Sequence, residues 1–544
     1  MKNIQESLIS ALQHSLKEFY PEGAQGPGII LDFPTDPRFG ELSTNVALQI
    51  SKSTKLPPRD IAAKIVEALN KALGDSEAAG YIREIKIEGA GFINFYLQEK
   101  FFYEELRDIV ARKEKALAVN LGHNRPTLIE FVSANPTGSL SVAHARQAAV
   151  GDSLANILAF IGFKVKREYY LNDEGNQINI LGDSVRLRMQ ELSGESLEFP
   201  ENYYQGDYIY DIAKVAQKRK IRKEDLGDFA ANYILDIIKK ELVAFGVKFD
   251  YWSSQKKLRQ SGKIEKALED LKKRGFIYEQ EGAVWFKSTG FGDDKDRVVI
   301  KSDKSYTYLA PDIAYHREKY RRGFDWLINL WGPDHHGYIK RLEASVEALG
   351  HPKESLAVII VQLATIFREG KPVQMSTRRG EYITLQEVLD EVGRDASRFF
   401  FMMRRTSSHL DFDLDVAKKQ TSENPVYYVQ YAHARISSIL RSGKIRVNKG
   451  EDLSVLKEKE ELSLIKKLWH FEATLNICLT TTDPYMLTVY LQELAESFHK
   501  FYDLHRVLGD NDALTRARLS LIEATRIVLA TGLKLLGVSA PEKM

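Results

Sequence analysis

The sequence is nearly empty of cysteine: Cys478 stands alone among 544 residues. A lone thiol closes no internal disulfide and builds no cysteine-rich zinc site. Within an apolar helical pattern it reads as a small buried core residue, and the missing disulfide chemistry fits a reducing compartment, the cytoplasm. An excess of one charge sign is lacking as well. The formal net charge is only +2, so bulk charge announces no nucleic-acid partner and any such evidence must be local. Nor is there a long apolar run. The most apolar stretch, near Leu356–Phe367, carries Gln362 and falls short of the roughly 20 residues that a bilayer span needs, so no membrane partner is expected. The N-terminus does not read as a signal peptide. Ile4, Leu8, Leu12 and Leu16 recur at helical spacing, with Glu6, Gln13 and Lys17 between them, as in an amphipathic helix. Internal repeats and low-complexity tails are also missing.

What is present is a chain of 44% hydrophobic and 28% charged residues, the mix of packed globular cores, and its length suits about three to five domains. Three regions suggest themselves. Residues 1–115 mix helices and strands: Ile61–Leu73 reads as a helix and Ile82–Tyr96 as two strands broken at Gly89 and Gly91. Residues 116–415 alternate short β-rich runs (Thr127–Val132, Val165–Leu171, Trp326–Leu330, Ala357–Val361) with amphipathic helices, which argues for a parallel α/β sheet. Within them, 185–300 are more charged and irregular and read as an insertion. From 416 to 544 Leu, Ile and Ala recur every three or four residues, as in a helical bundle.

The densest signal is Thr127–Asp152, TLIEFVSANPTGSLSVAHARQAAVGD. A strand runs into a loop rich in Pro, Gly and Ser, and a helix follows from about Ala143. Such a unit sets unpartnered helix N-terminal amides beside the carboxyl end of a strand, where phosphate and nucleotide groups bind. Many α/β proteins carry such a loop without a ligand, so the unit alone leaves its use open.

The segment resembles the His-Ile-Gly-His signature of class I aminoacyl-tRNA synthetases in its arginyl version, bacterial type. Glu130, Phe131, Ser133, Asn135 and Pro136 match, as do His144, Ala145 and Arg146, whereas Ser141 and Ala143 stand where the family has His and Gly. Gln374-Met375-Ser376-Thr377-Arg378-Arg379-Gly380 is similar to the Lys-Met-Ser-Lys-Ser loop, with both lysine positions uncharged and Arg378 and Arg379 retained as cations. Three further blocks agree: Asn172–Gln177 after Tyr169-Tyr170, Tyr306–His316, and Trp331–Tyr338.

The resemblance implies a Rossmann-like catalytic domain with a parallel sheet, an α+β N-terminal domain that meets the tRNA elbow, and an all-α C-terminal domain that binds the anticodon. It implies ATP sites at Gly138, Ser141, Ala143, His144, Met375, Ser376 and Arg378, with Ser141, His144, Arg378 and Arg379 offsetting charge on the phosphates. It puts arginine on Glu130, Ser133, Asn135, Tyr308, Asp312 and His335, two acids and a tyrosine being apt for a planar guanidinium with five donors. Tyr427, Gln430, Tyr431 and Arg435 interleave rings and a cation, a pattern for tRNA or for a packed helix. The basic runs Lys218–Lys223 and Arg317–Arg322 are open to the same two readings, phosphate contact or solvated face. Asp334, His335 and His336 make no metal site, because adjacent side chains diverge and no further ligand is evident. Magnesium is expected only with ATP, and the partners are ATP, L-arginine and tRNA(Arg), handled by a cytoplasmic monomer.

Two rivals to arginine–tRNA ligation remain. A sister enzyme such as the cysteinyl one needs several zinc-binding cysteines. A non-catalytic tRNA-binding paralogue would account for Ser141, Ala143, Gln374 and Thr377, but would not need the arginine pocket.

Overall fold

A computed structural model of the chain describes residues 4–19, 27–34, 36–74, 76–373, 382–442 and 450–544. They form two compact units. One gathers Met1–Leu117 with Ser442–His470 and Lys500–Ile527, the other Ala118–Arg441 with Phe471–His499 and Val528–Met544.

The second unit is built on a five-stranded, all-parallel sheet. Its spatial order is Leu356–Ile360, Trp326–Trp331, Pro126–Glu130, Lys164–Leu171, Tyr251–Ser254. Runs such as Leu327, Ile328 and Leu330 are buried, as expected of parallel strands covered on both faces. From the central strand Pro126–Glu130 the chain first builds outward to Tyr251–Ser254, then crosses back to Trp326–Trp331 on the other side. That reversal is a topological switch point, and the crevice beyond the carboxyl ends of the two strands is where such sheets bind ligands.

The helix Val142–Phe160 follows the first strand, and most of it is buried. Gly151 lets it lie directly on the strand end, since a Cβ there would sit 2.4 Å from Phe131 Cγ. At the back of this unit Arg398, fully buried, donates to Leu536 O at 2.9 Å, Phe245 O at 3.2 Å and Asp152 Oδ2 at 2.7 Å.

The stretch 185–300 differs from the expected insertion in one respect. It supplies the edge strand Tyr251–Ser254 to the central sheet, and only Ile277–Gln280, Ala283–Phe286 and Arg297–Ile300 form an antiparallel sheet of their own. Four residues between charged helices make too short a run for an apolar pattern to register.

In the first unit Leu42–Thr44, Phe92–Leu97 and Ile82–Glu88 form an antiparallel sheet, with the helices Ile4–Ser15, Pro58–Leu73 and Glu99–Arg112. The Trp469 ring meets Phe101 and Phe102 edge-on at 5.5 and 5.6 Å, and Tyr103 donates to Leu456 O at 2.7 Å. The N-terminal segment thus shares a core with part of the helical C-terminal region. That region consists of Pro425–Ser442, Lys459–Thr481, Tyr485–Leu504 and Asp512–Leu535, and Cys478 is buried within it. No helix among the described residues is long and apolar enough to cross a membrane.

Candidate active site

A cavity of about 840 Å³ opens at the switch point. Glu130, Ser133, Asn135, Tyr308, Asp312 and His335, far apart in the sequence, all line it, and so does His144.

The local backbone explains the first three. After Glu130 the chain turns sharply: Val132 and Ser133 have φ of 68° and 40°, and the Ser133 N–H donates to Phe131 O at 2.9 Å. Positive φ at a β-branched residue is strained, and such strain gathers at functional sites. The turn lets Ser133 Oγ donate to Glu130 Oε1 at 3.2 Å while accepting the Tyr170 N–H at 3.1 Å. Asn135 donates to Gln177 Oε1 at 2.6 Å.

Asp312 lies in the first turn of the helix Leu309–Arg321 and accepts a hydrogen bond from Tyr338 Oη at 2.6 Å. Among the described residues no basic side chain forms an ion pair with it. Burial pushes its carboxyl up to about 7, against the Tyr338 hydrogen bond, which favours the charged form. Glu130 is held differently. Its other oxygen carries the ammonium of Lys319, a fully buried residue.

His144 is in the first turn of the helix Val142–Phe160. Its Nδ1 accepts from the Ser141 backbone N–H at 3.2 Å, with Ser141 Oγ at 3.1 Å. Because that N–H can only donate, the neutral ring carries its proton on Nε2. Burial lowers its pKa to about 4, so His144 is a neutral donor at pH 7. Ser141 supports His144, and Ser141, Gly138 and Ala143 do not line the cavity. Gly138 packs beneath Tyr382 and Tyr208, whose hydroxyls donate to Ser139 O at 2.9 Å and Thr137 O at 2.6 Å.

Met375, Ser376, Arg378 and Arg379 lie outside the described residues. The chain leaves toward them from Lys371–Pro372 and returns beside the first signature. There Leu385 N–H donates to Leu140 O at 2.7 Å, and Thr384 bridges Ser141.

On the helix Pro425–Ser442 the Tyr427 and Tyr431 rings stack at 6.1 Å, and Arg435 donates to Tyr431 Oη at 3.1 Å. Gln430 turns inward. It is buried and donates to Asp395 Oδ2 at 3.0 Å and Ser539 O at 2.9 Å.

Several residues in or behind the cavity carried no distinct signal in the sequence. Lys319 sat in a basic run that looked like a surface feature. In fact Lys319 and Tyr320 are buried, Arg317 pairs with Asp270, and Arg322 donates to Glu168 Oε2 at 2.6 Å. That run is therefore ion-paired: Lys319 is buried, Arg317 is half-buried, and Arg321 and Arg322 stay exposed while pairing with Glu318 and Glu168. Arg297 and Arg341 also line the cavity, the first from the small sheet, the second lying 4.9 Å over the Tyr338 ring. Only the pairing of distant elements reveals them.

Three family profiles match successive parts of the chain: the arginyl tRNA synthetase N terminal domain over residues 6–97, the class I (R) tRNA synthetase catalytic domain over 105–436, and the DALR anticodon binding domain over 429–544. The arginine–tRNA ligase of Citrifermentans bemidjiense is 46% identical over 533 residues, 95% of either chain. That of Listeria monocytogenes serotype 4b is 45% identical over 562 residues, the whole of both chains. The Thermus thermophilus arginyl-tRNA synthetase structure shares the fold, with a TM-score of 0.79 at 23% identity, covering 99% of this chain and all of that one. With its catalytic profile spanning more than half of its length and relatives this similar end to end, the chain belongs to the arginyl-tRNA synthetase family.

Proposed function

We propose that the chain is an arginine–tRNA ligase. A carboxylate oxygen of L-arginine attacks the α-phosphorus of ATP and pyrophosphate leaves. A terminal ribose hydroxyl of tRNA(Arg) then attacks the carbonyl of the adenylate and AMP leaves. No side chain forms a covalent bond; positioning and charge stabilisation carry the rate. The observation that carries this reading is Asp312, a desolvated carboxylate with a tyrosine hydrogen bond and, among the described residues, no ion-paired cation, facing a cavity at the switch point. A guanidinium supplies the missing charge.

In this reading Asp312, Tyr308, Glu130 and Ser133 receive the side chain, and Asn135 and His335 the amino-acid end. His144 donates from Nε2 to the phosphates, with Gly138, Ser141 and Ala143 shaping the ATP loop. Met375, Ser376, Arg378 and Arg379 serve the triphosphate, which arrives with its magnesium. Residues 1–115 meet the tRNA elbow, 116–415 carry the chemistry, and 416–544 read the anticodon through Tyr427, Tyr431 and Arg435, with Gln430 holding their helix. The enzyme works as a monomer in the cytoplasm.

The test is attachment of labelled arginine to tRNA(Arg), dependent on ATP. Charging with arginine alone among the amino acids supports the reading. A chain that binds the tRNA and charges nothing is the non-catalytic paralogue instead.

A further inference from the structure

The two acids of the cavity are linked by one buried chain of hydrogen bonds. Lys319 donates to Glu130 Oε2 and, at 3.1 Å, to Asn329 Oδ1. Asn329 Nδ2 donates to His316 Nε2 at 2.8 Å, and His316 Nδ1 then donates to the backbone carbonyl of Asp312 at 2.8 Å. An ammonium only donates and a carbonyl only accepts, so the polarity is set at both ends and His316 is neutral. Lys319, Asn329, His316 and Glu130 are all buried, and a buried ammonium persists only with an acid partner.

We propose that Lys319 is a specificity-determining positioning residue of the arginine pocket: by holding Glu130 as a paired carboxylate, it leaves one uncompensated acid, Asp312, to meet one guanidinium. The inference rests on the arginine reading of this cavity. Two uncompensated carboxylates in one buried site do not both ionise; one takes up a proton, and its state then follows the pH. Lys319 removes that ambiguity and keeps Glu130 Oε1 aimed, together with Ser133 Oγ, as an acceptor. It also denies Glu130 to a substrate ammonium, so lysine finds a neutralised acid where arginine needs only an oriented oxygen.

Among the described residues no other cation pairs with Glu130. From its own helix Asp312, Tyr315 and neutral His316 face this pair. From the neighbouring strand come Tyr170 and Glu168, and Glu168 already holds Arg322. Tyr338 faces Asp312.

The experiment is calorimetric titration of L-arginine, and of L-lysine as competitor, into the full-length chain between about pH 6.5 and 9. The variants are Lys319→Met, Glu130→Gln and the two combined. For the unaltered chain arginine affinity levels off above about pH 8, once Asp312 is ionised. Lys319→Met is expected to bind arginine at least about tenfold more weakly at pH 7. Its affinity should keep climbing to pH 9 as the orphaned Glu130 loses its proton, and lysine should compete about tenfold better. In the Glu130→Gln background the same change should alter affinity less than about twofold, because its target is gone. A folded Lys319→Met with the arginine affinity and pH profile of the unaltered chain overturns the proposal. If that variant does not fold, the combined variant decides: arginine binding more than about fivefold weaker than Glu130→Gln alone overturns it equally. An unaltered chain that binds no arginine overturns the arginine reading itself, a result distinct from either.

Discussion

Tyr338 donates its hydroxyl to Asp312 Oδ2 across 2.6 Å, yet the carboxyl is still pushed up to about 7, because burial outweighs one neutral hydrogen bond. Below that pH arginine must expel a proton to bind. The arginine KM is therefore expected to fall by up to about tenfold per pH unit as pH rises toward 7, and to level off above it. In the arginine-free chain the same group acts oppositely: its contribution to stability declines between its unfolded value, near 4, and about 7. Asp312→Asn should erase the pH limb and weaken arginine binding by about 2–5 kcal/mol, with the ATP KM little changed. Steady-state KM for both substrates across this pH range checks it, and an unchanged arginine KM would remove Asp312 from the pocket.

His144 holds its ring through the Ser141 backbone N–H, a contact that a side-chain change at 141 keeps. Ser141→Ala should thus lower kcat by less than about threefold, whereas His144→Ala removes the donor and should cost about 100-fold or more. With its pKa lowered to about 4, His144 adds no titration between pH 5 and 8. Single-turnover rates of adenylate formation would reveal a contrary ranking.

Gly151 lies where a Cβ would come within 2.4 Å of Phe131, the residue after Glu130. Gly151→Ala is expected to destabilise the chain by about 1–3 kcal/mol through overpacking, and to raise the arginine KM by moving the strand end. Denaturant unfolding and kinetics measure both. A variant as stable as the original would mean that the helix shifts freely.

Ending the chain near residue 415 would do more than remove the anticodon region. It would strip away Leu536, whose carbonyl takes Arg398 Nε at 2.9 Å and Ser153 Oγ at 3.2 Å. Losing one hydrogen-bond partner of a buried charged group costs about 1.5–3 kcal/mol, so the truncated chain should melt several degrees lower and lose adenylate formation even with tRNA present. Thermal melting followed by circular dichroism tests this, and an unchanged midpoint would refute it.

Point changes on the helix Pro425–Ser442 therefore probe tRNA better. Tyr431 is 37% exposed and stacked on Tyr427, so Tyr431→Ala should weaken tRNA binding by about 1–3 kcal/mol, leaving the arginine KM unchanged. Filter binding at fixed salt measures it. Gln430→Ala should instead lower stability, since its amide holds Asp395 and Ser539.

The sequence by itself determined the periodic elements and the acids of the cavity. Apolar runs such as Trp326–Leu330 mark strands because a parallel sheet buries both faces. Glu130, Asn135, His144 and Asp312 stand in segments whose residue order is distinctive enough to read without coordinates. Only the tertiary structure decided what those acids face. Tyr251–Ser254 joins the central sheet through pairing with a distant strand, which four residues do not announce. Lys319 is an ordinary member of a basic run until the helix Leu309–Arg321 is laid against the strand Pro126–Glu130 and its ammonium meets Glu130. Charge is written in the sequence, but whether a charge meets water or a buried partner depends on contacts between residues 189 positions apart, and no local pattern encodes those.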